Sequence, residues 1–359
     1  MPEPALLVTG ATGFVGGHLL RQAAAAGHPL LALARPSSAR GHLDDLDLAW
    51  HTGDVTDPAS VDAAASALAA RGRAEGRPTW LVHGAAVISY ATGVGPLQQA
   101  VNVDGTRHVL DAAERHGIDR VLLVSSVVTV GVAADAEAAL DEDAPFADVA
   151  RVTGRPYVSE YMRTKRAGED LALARAAAWE AGGGPELVVV NPGAIFGEAP
   201  TPSNTAQVFR RVEGSLLGRV AGPGSLSVVG VEDVARGILL ALERGRTGRR
   251  YLLTDENLRL EELLRRIQRV LRPAGPQPGL LRPGPRAWRA LVGATRLLDR
   301  VKPLHVVTPT ALELLALHFR FDSTRARTEL GWTPEPFDDV LENTATWLRR
   351  IGWVRPASS

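Results

Sequence analysis

Residues 5–20 read ALLVTGATGFVGGHLL. A short apolar run, Ala5–Thr9, leads straight into Gly10, Gly13 and Gly16 and then into a helix-like pattern. Gly10 permits a tight turn, Gly13 lets the backbone approach a pyrophosphate, and Gly16 allows close packing of helix on strand. The helix start offers unpaired N–H groups and a partial positive charge to the phosphates. Thr12, Phe14 and Val15 complete the candidate cofactor-binding loop.

Working outward, the same rhythm repeats. Short apolar runs (Ala5–Thr9, Pro29–Ala34, Leu48–His51, Trp80–His83, Val121–Ser125, Leu187–Asn191) alternate with Ala-rich helical stretches (Phe14–Gly27, Pro58–Arg71, Pro96–Gly117, Tyr157–Ala181). The runs are continuous rather than alternating, as expected for strands covered on both faces. The expected fold is therefore α/β, a Rossmann-type doubly wound parallel sheet. After Pro192 helical patterns dominate (Asn204–Leu217, Val231–Arg244, Leu258–Leu271, Pro309–Phe319, Phe337–Ile351), with one strand at Arg250–Leu253. This predicts a dinucleotide-binding domain over 1–192 and a smaller, mostly helical substrate lobe over 193–359, with 226–245 returning to the sheet.

Composition narrows the function. The 359 residues are 45% hydrophobic and 22% charged, too apolar for a disordered chain. Lys+Arg 40 balances Asp+Glu 40, which points away from nucleic acid and anionic membranes as partners. With no cysteine there is no disulfide scaffold, thiolate metal site or thiol nucleophile, and no metal is expected. No apolar run reaches the roughly 18 residues that span a bilayer, and no basic-then-apolar leader precedes the first strand. A soluble, cytoplasmic enzyme acting on a small molecule is the expectation.

The glycine spacing, G-x-x-G-x-x-G after Thr9, resembles the extended branch of the short-chain dehydrogenase/reductase superfamily, the NAD-dependent epimerase/dehydratase group. The stretches TGATGFVG, VNVDGT, VVNPGAIFG and VEDVARGILLALERG are most similar to bacterial dihydroflavonol-reductase-like proteins, among them those called hopanoid-associated sugar epimerases. For the cofactor, the second strand ends in Arg35 where an acidic residue would hold the ribose hydroxyls of NAD. A guanidinium matches a 2′-phosphate, so NADP is favoured, with NAD the alternative. The resemblance places Asp54 and Val55 beside the adenine and lets the backbone of Ala85 and Ala86 run along the cofactor. It sets Pro192, Gly193, Ala194 and Ile195 against the nicotinamide. His83 reads as a packed strand-end residue.

Tyr161 and Lys165 lie four residues apart on one predicted helix, so they share a face. A phenol of pKa about 10 is a poor acid–base group at neutral pH, and a neighbouring ammonium stabilises its phenolate. The fifth strand ends in Ser125 and Ser126, at the edge where parallel sheets bind ligands. The resemblance assigns substrate orientation to Ser126, with Thr129 as fallback. It gives Asn102 the task of ordering Lys165 and nearby water. The candidate catalytic set is Ser126, Tyr161, Lys165 and Asn102.

Family members use these groups in two ways. Reductases transfer one hydride and release the cofactor, whereas nucleotide-sugar epimerases and dehydratases return it. The sugar enzymes carry an arginine in a Gly-x-x-x-Arg-Asp segment. Here the corresponding GPGSLSVVGVEDVARG is apolar over Leu226–Val231, and Glu232 and Asp233 are expected to cap and charge the next helix. The expected reaction is NADP(H)-dependent reduction of a carbonyl on an apolar substrate, or the reverse. A sugar epimerase/dehydratase and a non-catalytic dinucleotide sensor are the alternatives. The resemblance also implies a homodimer through the Pro96–Gly117 and Tyr157–Ala181 helices.

Two segments stand apart. RPAGPQPGLLRPGP (272–285) reads as a surface loop, or as a hinge for the helical pattern beyond it. That pattern, 285–304, mixes Arg286, Arg289, Arg296 and Arg300 with Trp288, Leu291, Val292, Leu297 and Leu298. It reads as a surface helix on the small lobe; a lid and a membrane-surface helix are the other readings.

Overall fold

A computed structural model describes residues 2–91, 93–146, 148–301 and 308–356. The first half runs β1 (Ala5–Thr9), α1 (Phe14–Ala25), β2 (Leu30–Ala34), β3 (Leu48–Thr52), α2 (Pro58–Glu75), β4 (Thr79–His83), α3 (Gly95–Gln99), α4 (Gly105–His116) and β5 (Arg120–Val124). A wider π-helical turn, Ala100–Asp104, joins α3 to α4. Next come α5 (Asp148–Thr153), α6 (Glu160–Gly182), β6 (Glu186–Pro192), β7 (Ala194–Phe196), α7 (Asn204–Gly214), β8 (Ser225–Gly230), α8 (Val231–Arg244) and β9 (Arg250–Leu253). The rest is β10 (Glu256–Arg259), α9 (Leu260–Leu271), α10 (Pro285–Val301), α11 (Pro309–Leu314), β11 (His318–Phe319), α12 (Thr324–Glu329) and α13 (Phe337–Arg350).

Seven parallel strands form the large sheet in the order β3-β2-β1-β4-β5-β6-β9. Alternate residues of the apolar strands feed two cores. Leu7, Leu81 and Val189 pack with Leu68, Val109, Ala172 and Trp179 from α2, α4 and α6. Leu6, Val8, Val82 and Val190 pack with Leu19, Leu20, Ala235 and Ile238 from α1 and α8. Both faces are therefore covered, which is why the strands read as unbroken apolar runs.

The second half is mostly helical, as expected, and in addition contains a four-stranded sheet. β8 is its centre, with β10 antiparallel on one edge and β7 and β11 parallel on the other. Pairing with β8 takes Glu256–Arg259 into a strand, so α9 starts at Leu260 rather than Leu258. It likewise ends α11 at Leu314, because His318–Phe319 must lie beside Ser225–Leu226. Tyr157 lies outside α6, whose N-cap is Ser159, accepting from the Met162 N–H. Residues 226–230 pair in the small sheet, while Val229, α8 and, from α12 onward, Ala326, Leu330 and Trp332 pack in the core of the large one.

Glu232 and Asp233 lie in the first turn of α8 but do not cap it. Glu232 accepts bonds from His18 (2.6 Å) and Gln22 (2.7 Å) on α1. Asp233 is buried, accepting from the Glu335 N–H and from Arg236, while its carbonyl takes Trp332 Nε1 at 2.8 Å. These groups were free to tie α8 to distant segments because Gly230 starts the helix without a side-chain cap.

His18 donates through one nitrogen to Glu232 and through the other to the Glu198 carbonyl (2.7 Å). Two acceptors require two N–H groups, hence an imidazolium. Burial pulls the His18 pKa down, but these partners outweigh it and the net shift is upward. Its stabilisation is complete below the unfolded value of roughly 6.5 and is lost as pH rises through the raised folded value. The melting-temperature deficit of a His18→Leu variant is therefore expected to be largest near pH 6 and to shrink toward pH 9. A deficit that grows with pH would contradict the imidazolium.

Candidate active site

Most candidate residues lie just beyond the C-terminal ends of the strands, with Tyr161 and Lys165 on α6 and Asn102 in the turn between α3 and α4. The loop between β1 and α1 sets the first part. Gly10 has φ +73°, and a Cβ there would lie 2.7 Å from the Ala85 nitrogen. At Gly16 a Cβ would clash with the Gly10 carbonyl oxygen. Gly13 is exposed at the N-terminus of α1, which carries no side-chain cap and no acidic residue in its first turn. Its leading N–H groups lack helical partners and face an open edge, a cradle suited to a pyrophosphate. Thr12, Phe14 and Val15 are half-buried along it, and Gly84 and Ala86 are exposed beyond β4, with Ala85 half-buried between them. The residues present thus fit a bound dinucleotide.

Arg35 follows β2 and is exposed. A second guanidinium, missed in the sequence, stands nearby: Arg40 donates to Thr52 Oγ1 (3.3 Å) and to the Ala34 carbonyl (3.4 Å) and lies 4.7 Å over the Trp50 ring. Its only signal was the short RPSSAR stretch. Asp54 accepts from the Thr56 N–H and hydroxyl, each at 2.9 Å. Val55 is buried, and its carbonyl accepts from His108.

At the centre of the edge stand Ser126, Tyr161 and Lys165. Ser126 is half-buried just past β5, and its side chain accepts from the Val128 N–H beside the Tyr161 phenol. Ser125 is buried, its Oγ without a partner among the described residues. Burial pushes the Tyr161 phenol up to about 12, with the nearby Ser126 hydroxyl acting the other way. Lys165 Nζ donates to the Val124 carbonyl at 2.9 Å. Burial lowers its pKa to about 8 against the opposing influence of Glu169. Tyr90 packs edge-on against Tyr161 at 5.8 Å.

Beneath them lies a buried polar network. Glu169, one turn beyond Lys165, accepts from Thr129 Oγ1 (2.7 Å), Asn191 Nδ2 (2.7 Å) and Arg250 Nη1 (2.9 Å). Asn191 Nδ2 and the Thr129 backbone N–H also donate to the Ser126 carbonyl. Thr129 is committed here and cannot serve as the alternate hydroxyl. The Lys165/Glu169 spacing was visible in the sequence; Arg250, 81 residues away, carried no signal.

Asn102 sits in the π-helical turn, where Oδ1 accepts from the Val87 N–H (2.8 Å) and Nδ2 donates to Thr164 Oγ1 (3.1 Å). It touches the neighbour of Lys165, and no bond joins it to Lys165 among the described residues. His83 is buried between Thr9 Oγ1 (2.7 Å) and Thr106 Oγ1 (3.1 Å), and burial holds its pKa down at about 3, with the Lys165 charge adding to this. At the end of β6, Pro192 and Gly193 carry the chain from the large sheet into Ala194 and Ile195 of the small one. A Cβ at Gly193 would lie 2.7 Å from the Ser227 carbonyl oxygen.

Residues 6–253 match the sequence profile of the NAD dependent epimerase/dehydratase family. The chain belongs to that family. This epimerase/dehydratase-family protein is 29% identical, over 97% of its length, to a Synechocystis sp. protein provisionally named dihydroflavonol 4-reductase, covering 95% of it. It is 31% identical to sterol demethylase protein B of Methylococcus capsulatus, covering 97% of this chain and 99% of that one. The crystal structure of a nucleoside-diphosphate-sugar epimerase from Pseudomonas aeruginosa superposes with a TM-score of 0.74 at 26% identity, covering 98% and 99% of the two chains. The family chemistry is that of an NAD(P)-dependent oxidoreductase.

A Gly10→Ala substitution pushes a methyl into the backbone of residues 84–85 and forces a strained φ. It is expected to weaken NAD(P) binding about tenfold or more, a loss of roughly 1.4 kcal/mol. Titration by quenching of intrinsic fluorescence checks this; unchanged affinity would show that the loop does not hold the cofactor.

Proposed function

We propose that the protein is an NADP(H)-dependent reductase of a carbonyl on a small apolar substrate, able to run as an alcohol dehydrogenase in reverse. In this reading residues 1–192 bind cofactor and supply catalysis, and 193–359 shape the substrate site. Gly10, Thr12, Gly13, Phe14, Val15 and Gly16 hold the pyrophosphate. Asp54 and Val55 flank the adenine, the backbone of Ala85 and Ala86 runs beside the cofactor, and Pro192–Ile195 lines the nicotinamide side. Arg35, with Arg40 behind it, takes the 2′-phosphate. When bound, the reduced nicotinamide supplies the hydride.

Ser126 donates to the substrate oxygen and holds it beside Tyr161. Tyr161, neutral because its pKa lies near 12, gives that oxygen its proton as it gains charge. Lys165, still largely an ammonium at neutral pH, stabilises the phenolate left behind. Glu169 helps to keep that charge on Lys165, and Asn102 holds its helix through Thr164.

One observation favours a reductase over the sugar enzymes. The segment where those enzymes carry an arginine is β8, the buried centre of the small sheet, and Leu226–Val231 offers no cation to a diphosphate. The sterol in the name of the Methylococcus relative agrees with an apolar substrate. The likeness to the Pseudomonas epimerase keeps a second reading in play, in which hydride returns to the substrate.

The two separate by stoichiometry. A reductase oxidises one NADPH per hydrophobic ketone reduced, whereas an epimerase shows no net oxidation and isomerises a nucleotide sugar. Tyr161→Phe is expected to lower turnover by about 10²–10⁴-fold with cofactor binding intact. Full turnover in that variant would remove Tyr161 as the acid. Arg35→Asp is expected to raise the KM for NADPH about tenfold or more and to favour NADH, since a charged hydrogen bond contributes about 1.5–3 kcal/mol. Unchanged cofactor preference would overturn the NADP assignment.

A further inference from the structure

We propose that α10 docks the protein on an anionic lipid bilayer. One face of α10 is accounted for: Trp288 and Val292 are buried with Leu312, and Leu291, Val220 and Leu315 pack around them. The opposite face is not. Leu297, Leu298 and Val301 are 63%, 58% and 82% exposed, three large apolar side chains within one and a half turns. Ala290 and Ala294 continue their stripe toward the N-terminus and are also exposed. Leu281, 45% exposed, lies in the loop that leads into the helix.

The charges beside this stripe have one sign. Between 282 and 300 there are five arginines and one acidic residue, in a chain whose total charge is zero. Arg282 and Arg296 pair with Glu261 and Glu313. Arg286, Arg289 and Arg300 have no acidic partner among the described residues, and all three are exposed. At helical spacing Arg289, Arg296 and Arg300 fall along one flank of the apolar stripe.

An apolar ridge edged by unpaired guanidiniums is complementary to the boundary between acyl chains and anionic headgroups. A second copy of the chain suits it less, because a twofold contact through α10 would bring the same arginine rows together. The 17-residue helix is about 25 Å long at 1.5 Å per residue and would lie in the membrane plane. No described helix is long and apolar enough to cross a membrane. The end of the basic segment, 302–304, lies outside the described residues.

The placement has a consequence for the site. α10 rests on α11, and Leu314 and Leu317 at and beyond the end of α11 pack with Val127, Val158 and Met162 beside Ser126 and Tyr161. A docked α10 therefore puts the wall of the site near the lipid. That step rests on the apolar substrate proposed above; the docking itself does not.

The test is co-sedimentation of the full chain with vesicles of phosphatidylcholine alone and of phosphatidylcholine mixed equally with phosphatidylglycerol. Binding is expected to the mixed vesicles only and to weaken with salt. Leu297→Gln/Leu298→Gln/Val301→Gln and, separately, Arg286→Glu/Arg289→Glu/Arg300→Glu are expected to reduce it about tenfold or more, with unchanged melting temperature and cofactor affinity. Three results would overturn the proposal. The first is wild-type protein remaining in the supernatant with the mixed vesicles, and the second is binding that survives both variants. The third is a wild-type dimer that the apolar variant converts to monomer, without vesicle binding, which would make the face a subunit contact.

Discussion

Lys165 carries an ammonium into a buried position at the end of β5, and much of the surrounding structure answers that one demand. Removing such a charge from water costs several kcal/mol. The Val124 carbonyl accepts a hydrogen bond from it, and Glu169 lies one turn further along α6. Glu169 is itself fully buried and is held by Arg250 on β9, Asn191 on β6 and Thr129 beyond β5. A run of alternating charge, Lys165–Glu169–Arg250, thus pins α6, β5, β6 and β9 together at their catalytic end. Removing one member would strand the others in low dielectric, a loss of about 3–5 kcal/mol in such networks.

The same network fixes what touches substrate in the proposed reaction. Asn191 and Thr129 grip the Ser126 carbonyl, so the hydroxyl that faces Tyr161 is placed by backbone rather than by its own rotamer alone. The groups at the reacting edge are few. Their geometry comes from a larger set of buried polar residues, within which Asn191 Oδ1 has no partner among the described residues.

How much of this could be read from sequence depends on how local each signal is. The large sheet was legible because strands covered on both faces must be continuously apolar, and β1 and β9 have the ends read from the sequence. The small sheet was not. β7 has three residues, β11 two, and β10 is the mainly polar ENLR, so pairing with β8 rather than local propensity makes them strands. Tyr161, Lys165 and Glu169 share a helical spacing and could be found together. Arg250 and Asn191 reach Glu169 only through the fold, and Arg40 is tied to β2 and β3 by loop geometry that no periodicity encodes. Asn102 was found by its motif, but its bonds run to Val87 and Thr164.

The pH dependence of carbonyl reduction tests most directly whether Lys165, kept charged by Glu169, supports proton donation from Tyr161. With the wild-type protein, the rate is expected to be flat through neutrality and to fall above a pH of about 8, as Lys165 loses its proton. In Glu169→Gln the anion that opposes deprotonation is gone, so the fall should begin at a pH about one unit lower. A fall at the same pH in both proteins, or one that persists unchanged in Lys165→Met, would contradict the charge relationship on which this site is built.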